Sequence, residues 1–374
     1  MRFLAGEAER MTGETIPSWI PGVRAYTKRE PIGVVGIISP WNWPAMLMIR
    51  EVAPALAAGN AAILKPASRT PITSTSIVSL IDEIEEFPAG IINIVTGPGS
   101  LIGNELTVNP KVNALSFTGD TRTGKQLMKK AADKVKKLAL ELGGKSPNIV
   151  FPDANLKKAI PVIAKSIFIT AGQMCFAGTR VLVHESIHGE VVEGLRKEAE
   201  KIKVGNGLDE STDMGPVISE SQLYDILEYC RIGREDGKLI TGGNRLIGGD
   251  YDKGFFMEPT IFDEIPIESK LAQEEIFGPV LVVQVFKDEE EAISLANGTI
   301  FGLAAGVWTK DVNRALRVAK RIEAGTVWIN TYNKNYPQTE FGGYKESGLG
   351  RTRGIEGLLE YTETKHINIE IDEE

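Results

Sequence analysis

A chain of 374 residues that is 42% hydrophobic and 25% charged has the composition of a globular protein and the length for two or three domains with large cores. Its 42 basic against 50 acidic residues give a formal charge of −8, which disfavours non-specific nucleic-acid binding because a net-negative surface repels phosphate. No apolar run approaches the roughly 20 residues of a membrane span, the N-terminus lacks a signal-peptide core, and two cysteines with three scattered histidines argue against a disulfide framework or a zinc site.

The expectation is therefore a cytoplasmic protein of a reducing compartment, with no metal, nucleic acid or membrane among its partners. The one basic cluster, Lys129, Lys130, Lys134, Lys136 and Lys137, reads as a solvated helix face.

Along the chain, short β-branched runs alternate with longer amphipathic ones, the signature of an α/β sheet with crossover helices. Residues 33–38 predict a first strand, ended by Ser39-Pro40, and a helix follows over about 45–58. A strand at 61–64 stops at Lys65-Pro66. Next come a helix at 74–84, a strand at 91–95 and a helix after Gly99. Residues 113–117 predict another strand, which feeds Thr118-Gly119 and a helix through Lys130. Repeated strand–helix winding predicts a dinucleotide-type sheet. Residues 137–142 mix polar and apolar side chains, Gly143-Gly144 breaks the run, and a domain boundary is placed there. A second α/β region spans about 146–344, with helices at 154–169, 187–202, 288–296 and 312–322 and strands at 280–286 and 326–330. The tail at 361–369 alternates like a strand with nothing after it to pair with, so it edges its own sheet or joins a partner's.

Two positions carry the clearest chemistry. Cys175, in Gly172-Gln173-Met174-Cys175, sits between glycines rather than on an apolar helical face, and Glu141 lies upstream in Glu141-Leu142-Gly143-Gly144-Lys145-Ser146-Pro147. A thiol in a glycine-flanked turn with a carboxylate base upstream points to covalent catalysis. Cys230, in the amphipathic stretch 223–230, fits a buried small hydrophobe instead. Pro40-Trp41-Asn42-Trp43-Pro44 locks its backbone with two prolines and two indoles. That rigidity holds the Asn42 amide in one orientation, as an oxyanion donor requires; a packed aromatic turn is the alternative. Residues 117–124 open a helix at a strand end, where free N–H groups could hold a pyrophosphate. Lys65 could reach a ribose or phosphate, or be a solvated strand-end lysine. Gly97-Pro98-Gly99-Ser100-Leu101-Ile102-Gly103 is one residue too long for the dinucleotide fingerprint, and no strand-end acid follows about twenty residues on.

Together these segments resemble the aldehyde dehydrogenase superfamily essentially from end to end. The matching elements are residues 40–44, Lys65-Pro66, Phe117-Thr118-Gly119, residues 141–145, residues 172–175, Glu274-Glu275-Ile276-Phe277-Gly278-Pro279 and residues 341–348. The resemblance implies an α/β fold with a Rossmann-type cofactor domain (32–143), an α/β catalytic domain (144–355) and a small oligomerisation sheet from segments 14–31 and 356–374, after a remnant helix at 1–13. It implies NAD- or NADP-dependent oxidation of an aldehyde to the acid by a homodimer or homotetramer. Cys175 is the implied nucleophile, Asn42 with the Cys175 N–H the oxyanion site, and Glu141 the base that hydrolyses the thioester. Trp41, Lys65, Ser68, Gly119, Gly124, Glu275 and Phe277 are the implied cofactor residues, with Glu275 on the nicotinamide ribose and Lys65 and Ser68 near the adenine ribose.

Four departures from the family pattern bear on function. NAD-preferring members often have Glu where this chain has Ser68, followed by Arg69, and losing a carboxylate removes a repulsion against a 2′-phosphate, so NADP is expected to be accepted. Arg50 stands where many members carry an aromatic residue lining the substrate tunnel; an arginine there suits a polar tail, as in a semialdehyde or hydroxyaldehyde, while a helix-surface arginine is the alternative. Glu51 and Thr352 replace a Lys and a Glu linked to proton relay. Finally, family chains carry about 100 further N-terminal residues, on the scale of one small domain, so a misassigned start or a fragment is expected. Two other readings stand beside the leading one. A CoA-acylating or phosphorylating relative commonly lacks the base that Glu141 supplies here. A non-catalytic fragment or assembly partner would sit oddly with an intact Asn42, Glu141, Cys175 and Glu275.

Overall fold

Branched apolar runs followed by helices wind the chain into parallel sheets in the computed structural model, which describes residues 1–371. Its contacts divide the chain into two units: residues 1–142, 335–342 and 349 onward form the first, and residues 143–334 with 343–348 the second.

The first unit begins with helix α1 (Arg2–Ala8) and strands β1 (Thr15–Ile16) and β2 (Val23–Pro31). It then alternates β3 (Val34–Ile38), α2 (Pro44–Ala57), β4 (Ala61–Lys65), α3 (Pro71–Asp82), β5 (Ile92–Ile94), α4 (Asn104–Val108), β6 (Ala114–Thr118), α5 (Thr121–Ala131) and β7 (Lys137–Glu141). Strands β7-β6-β3-β4-β5 lie side by side, all parallel. Helix α2 starts on Pro44 at its first position, where a missing N–H costs nothing. It ends where Gly59 takes φ +84°, its N–H bonding Leu56 O while the Asn60 N–H bonds Ala55 O, the helix-terminating pattern that needs a left-handed glycine. Val35, Ile37, Met48, Val52 and Leu64 form the core between α2 and the sheet.

Strand β7 departs from expectation. The run read from sequence only as a mix of polar and apolar residues is a strand over Lys137–Glu141, because Lys137, Ala139 and Glu141 alternate with Leu138 and Leu140 and the strand pairs with β6 over its full length. The basic cluster is likewise not one helix face: α5 stops at Ala131, and Lys136 donates to the carbonyls of Leu106 and Asn109.

The second unit carries a seven-stranded sheet. Its elements are β8 (Pro147–Val150), α6 (Leu156–Phe168), β9 (Arg180–His184), α7 (His188–Lys201), α8 (Glu220–Asp236), β10 (Lys238–Thr241), β11 (Thr260–Asp263), α9 (Lys270–Gln273), β12 (Val280–Phe286), α10 (Glu289–Asn297), β13 (Phe301–Gly302), β14 (Ala304–Trp308), α11 (Val312–Arg321), β15 (Thr326–Ile329) and β16 (Tyr344–Lys345). The order is β10-β11-β12-β9-β8-β14-β15, parallel except for β10. Strand β12 is nearly continuous in apolar residues, as a strand covered on both faces must be.

The chain then returns to the first unit through β17 (Gly348–Leu349), which edges its parallel sheet, α12 (Gly354–Leu359) and β18 (Thr362–Glu370). The tail strand finds its partner inside the chain: β18 runs antiparallel to β2, from Thr362 opposite Pro31 to Glu370 opposite Val23. Residues 372–374 of the expected oligomerisation segment lie outside the described residues. Residues 335–342 and 349–355, expected in the catalytic domain, cluster instead with the first unit, where Phe341 and Thr352 exchange backbone hydrogen bonds.

Candidate active site

In an open parallel sheet, ligands gather beyond the carboxyl ends of the strands, above all where the strand order reverses. In the first unit the order reverses between β3 and β6. Strand β3 leads into Pro40-Trp41-Asn42-Trp43-Pro44, and β6 leads into Thr118 and Gly119. Lys65 ends β4, residues 96–98 follow β5, and Glu141 ends β7. Trp41, Asn42, Lys65, Ser68, Gly119 and Glu141 thus share one sheet edge.

Glu141 is 5% exposed, and neither carboxylate oxygen has a hydrogen-bond partner. Burial pushes its pKa up to about 8; Arg50 opposes the shift, Glu51 adds to it, and Arg351 and Arg353 oppose it. A carboxyl kept from ionising until near neutral pH, with both oxygens unbonded, is what a general base working on water needs. Arg50 and Glu51, adjacent on α2, are also buried, at 8% and 1% exposed. The Arg50 Nε donates to Glu51 Oε1 at 3.0 Å, and its Nη2 donates to Thr118 Oγ1 at 3.1 Å. Arg50 is therefore not a helix-surface residue.

A cleft of about 440 Å³, lined by Pro66, Ser68, Pro71, Thr96, Gly97 and Pro98, opens beyond β4 and β5. Its apolar walls suit a flat base. Ser68 is exposed, and its hydroxyl donates to the Gly97 carbonyl at 2.9 Å. The Lys65 ammonium is buried and donates to the Pro66 carbonyl at 2.9 Å, with burial lowering its pKa. The residues present fit the adenosine half of the cofactor. The α5 terminus fits the pyrophosphate less simply. Asp120 caps that helix, accepting from the Thr123 N–H at 2.9 Å, so one N–H expected to be free is taken by a carboxylate. Gly124 has a packing role, since a Cβ there would meet Leu142 Cδ2 at 2.5 Å.

In the second unit, Cys175 follows three residues with left-handed backbone: Thr170, Ala171 and Gly172, at φ 54°, 53° and 68°. A β-branched residue in that region is strained and persists only where its surroundings over-determine it. They do so here. A Cβ on Gly172 would lie 2.0 Å from the Gly278 carbonyl oxygen, and one on Gly144 would lie 2.4 Å from the Cys175 carbonyl oxygen. The Gln173 side chain accepts from the Ile218 N–H at 2.8 Å and donates to the Thr170 carbonyl at 3.0 Å. Cys175 is half-buried, whereas Cys230 is fully buried and its pKa is pushed up to about 11 by burial. Gly172→Ala is accordingly expected to cost at least about 3 kcal/mol through backbone strain and clash. Urea unfolding measures it; a change under 1 kcal/mol would refute the packing account.

Glu275 and Phe277 lie in the same unit. Glu275 Oε1 accepts from the Gly144 N–H at 3.1 Å, and a Cβ on Gly143 would fall 2.3 Å from Glu275 Oε2. Gly143 therefore leaves room for this carboxylate, and Gly144 donates its N–H to it. Phe277 takes φ 56°, its carbonyl accepting from Gln222 Nε2 at 3.2 Å. Two further residues were not singled out by sequence. Lys145, 2% exposed, has no partner on Nζ, and burial lowers its pKa to about 7. Tyr361 donates to Glu51 Oε2 at 2.8 Å. Lys145 stood in the motif already quoted, but nothing local signals the Tyr361 contact.

The profile of the aldehyde dehydrogenase family matches residues 1–367. The chain is similar to the betaine aldehyde dehydrogenase of Bacillus subtilis strain 168, at 48% identity over 98% of this chain and 75% of that one. It is also similar to an aldehyde dehydrogenase of Enchytraeus buchholzi, at 46% identity over 99% and 73%. Among solved structures, a betaine aldehyde dehydrogenase of Staphylococcus aureus in complex with NAD+ superposes with a TM-score of 0.97 at 42% identity, covering 100% of this chain and 74% of that one. Among the described residues, no helix is long and apolar enough to cross a membrane.

Proposed function

Because the chain belongs to the aldehyde dehydrogenase family, we propose that it oxidises a small polar aldehyde to its carboxylic acid, using Cys175 as nucleophile and Glu141 as base. The Cys175 thiolate attacks the aldehyde carbon. A C–S bond forms, and the carbonyl oxygen becomes an oxyanion held by the Asn42 amide and the Cys175 N–H. A nicotinamide held by the cofactor residues would supply the acceptor for the hydride that leaves this carbon. Cys175 then carries a thioester. Glu141 takes a proton from water, the water oxygen attacks the acyl carbon, and the C–S bond breaks to release acid and thiolate. Trp41, Lys65, Ser68, Gly119, Gly124, Glu275 and Phe277 would hold the cofactor, Glu275 through the ribose hydroxyls of its nicotinamide half.

The observation that carries this reading is Glu141: a buried carboxyl at a sheet's carboxyl edge, with both oxygens unbonded. Relatives named for betaine aldehyde support a small polar substrate, and a semialdehyde or hydroxyaldehyde remains the proposed class. The test is aldehyde-dependent NAD(P)H formation with acid as product, across small polar and long aliphatic aldehydes. Absence of turnover on every aldehyde, or a product that requires CoA, would overturn the proposal.

Ser68 bears on cofactor choice, since no carboxylate stands there to repel a 2′-phosphate. NADP+ is expected to be accepted, and Ser68→Glu to lower kcat/KM for NADP+ by about tenfold or more, the equivalent of one like-charge penalty of about 1.4 kcal/mol. Steady-state kinetics with both cofactors checks this. An unchanged NADP+ value would remove Ser68 from the cofactor site. The sheet of β1, β2 and β18 is proposed as the contact of a homodimer or homotetramer.

A further inference from the structure

Glu141 is flanked by a buried cation it does not bond. Thr118 stands opposite Glu141 in the register of β6 and β7, and the Thr118 hydroxyl accepts from Arg50. A buried guanidinium beside a bare buried carboxylate ordinarily pairs with it, because each uncompensated charge is costly in a low dielectric. Here the guanidinium is held elsewhere. Glu51 Oε1 accepts from Arg50 Nε at 3.0 Å, while its Oε2 accepts from Ser116 Oγ and from Tyr361 Oη, both at 2.8 Å. Tyr361 is itself fixed, since its carbonyl accepts from Asn60 Nδ2 at 2.9 Å, and Asn60 also takes the Gly33 N–H at 2.8 Å. The Phe341 ring closes the group, with the Arg50 guanidinium 5.6 Å from its centroid and that of Arg353 at 5.2 Å.

We propose that Glu51 is a positioning residue for Glu141: anchored by Ser116 and Tyr361, it draws Arg50 onto itself and Thr118, and so keeps the base carboxylate out of an ion pair. The inference rests on the reading of Glu141 as the base. An ion pair to Arg50 would occupy the lone pairs that water must reach and would hold the carboxylate ionised, lowering its affinity for a proton. The charged groups that act most strongly on Glu141 are Arg50 and Glu51 from α2 and Arg351 and Arg353 from the loop before α12. Glu51 is the only anion among these four. Removing it therefore releases the Arg50 Nε from Glu51 and deletes the one anion among the four.

The test titrates Glu141 directly in the full chain. Glutamate side chains are labelled with carboxyl 13C, and the Glu141 resonance is the one missing in Glu141→Gln. Glu51→Gln is expected to lower the Glu141 midpoint by about 1–3 pH units, the effect of an opposite charge at close range. It should also cut kcat at pH 8 at least tenfold while leaving the rate of the first hydride step within about twofold. The double variant Arg50→Met/Glu51→Leu removes the pair together, a change a buried site often tolerates, and should keep the midpoint raised. Tyr361→Phe should lower it in the same direction as Glu51→Gln, by less. A midpoint unmoved in Glu51→Gln, or lowered in the double variant, would overturn the inference. If Glu51→Gln does not fold, the double variant and Tyr361→Phe decide. Failure of the underlying reading looks different: Glu141→Gln would then turn over like the parent, whatever the midpoints show.

Discussion

Glu141→Gln is expected to uncouple hydride formation from turnover: one equivalent of NAD(P)H per site forms in a burst, and steady-state release then falls by about 10²–10⁴-fold, the range for losing a general base. The amide keeps the size of the carboxyl but cannot take a proton from water, so the Cys175 thioester accumulates. The same substitution should stabilise the fold, and the sign follows from the titration. The Glu141 carboxyl is pushed from 4.5 to about 8 by burial. Between those values the folded chain holds a proton that the unfolded chain has released, so stability falls as pH rises, by on the order of 1 kcal/mol per pH unit. The glutamine bears no such cost. Its advantage should be near zero at pH 4–5, grow to a few kcal/mol by pH 8, and level off above. Thermal unfolding at both ends of that window measures it. Such a trade of stability for function is ordinary at active sites. A variant without a burst, or one no more stable than the parent at pH 8, would contradict the role and the burial argument respectively.

Cys175→Ala should abolish the burst as well as turnover, lowering kcat/KM by about 10⁴-fold or more, as removal of a covalent nucleophile does. Cys230 cannot substitute. It is fully buried on α8, and burial raises its pKa to about 11, so thiolate is scarce at neutral pH. The chain has only these two cysteines, which makes the comparison clean. Cys230→Ala should retain activity within a few-fold. Loss of the burst in Cys230→Ala but not in Cys175→Ala would reverse the assignment.

How far the site could be read from sequence depends on the range of each interaction. The β3, β4 and β6 strands announce themselves as short apolar runs stopped by Pro, Lys-Pro or Thr-Gly, and those stops are where the site residues sit. Strand β7 escaped because Lys137 and Glu141 put a charge at each end of the run and interrupt its apolar pattern. The loop of Cys175 was legible through its glycines, one of which carries a left-handed backbone against Gly278. The surroundings of Arg50 were not legible. Its neighbour Glu51 is held by Tyr361 across 310 positions of chain, and β18 finds β2 across a similar span. No local pattern encodes such pairings; the fold has to bring them together.

The most direct test of covalent catalysis is peptide mapping by mass spectrometry on Glu141→Gln after one turnover with aldehyde and NAD(P)+. An acyl group is expected on Cys175 alone, formed only when both aldehyde and cofactor are present. An unmodified Cys175, or an acyl group found on Cys230, would contradict it.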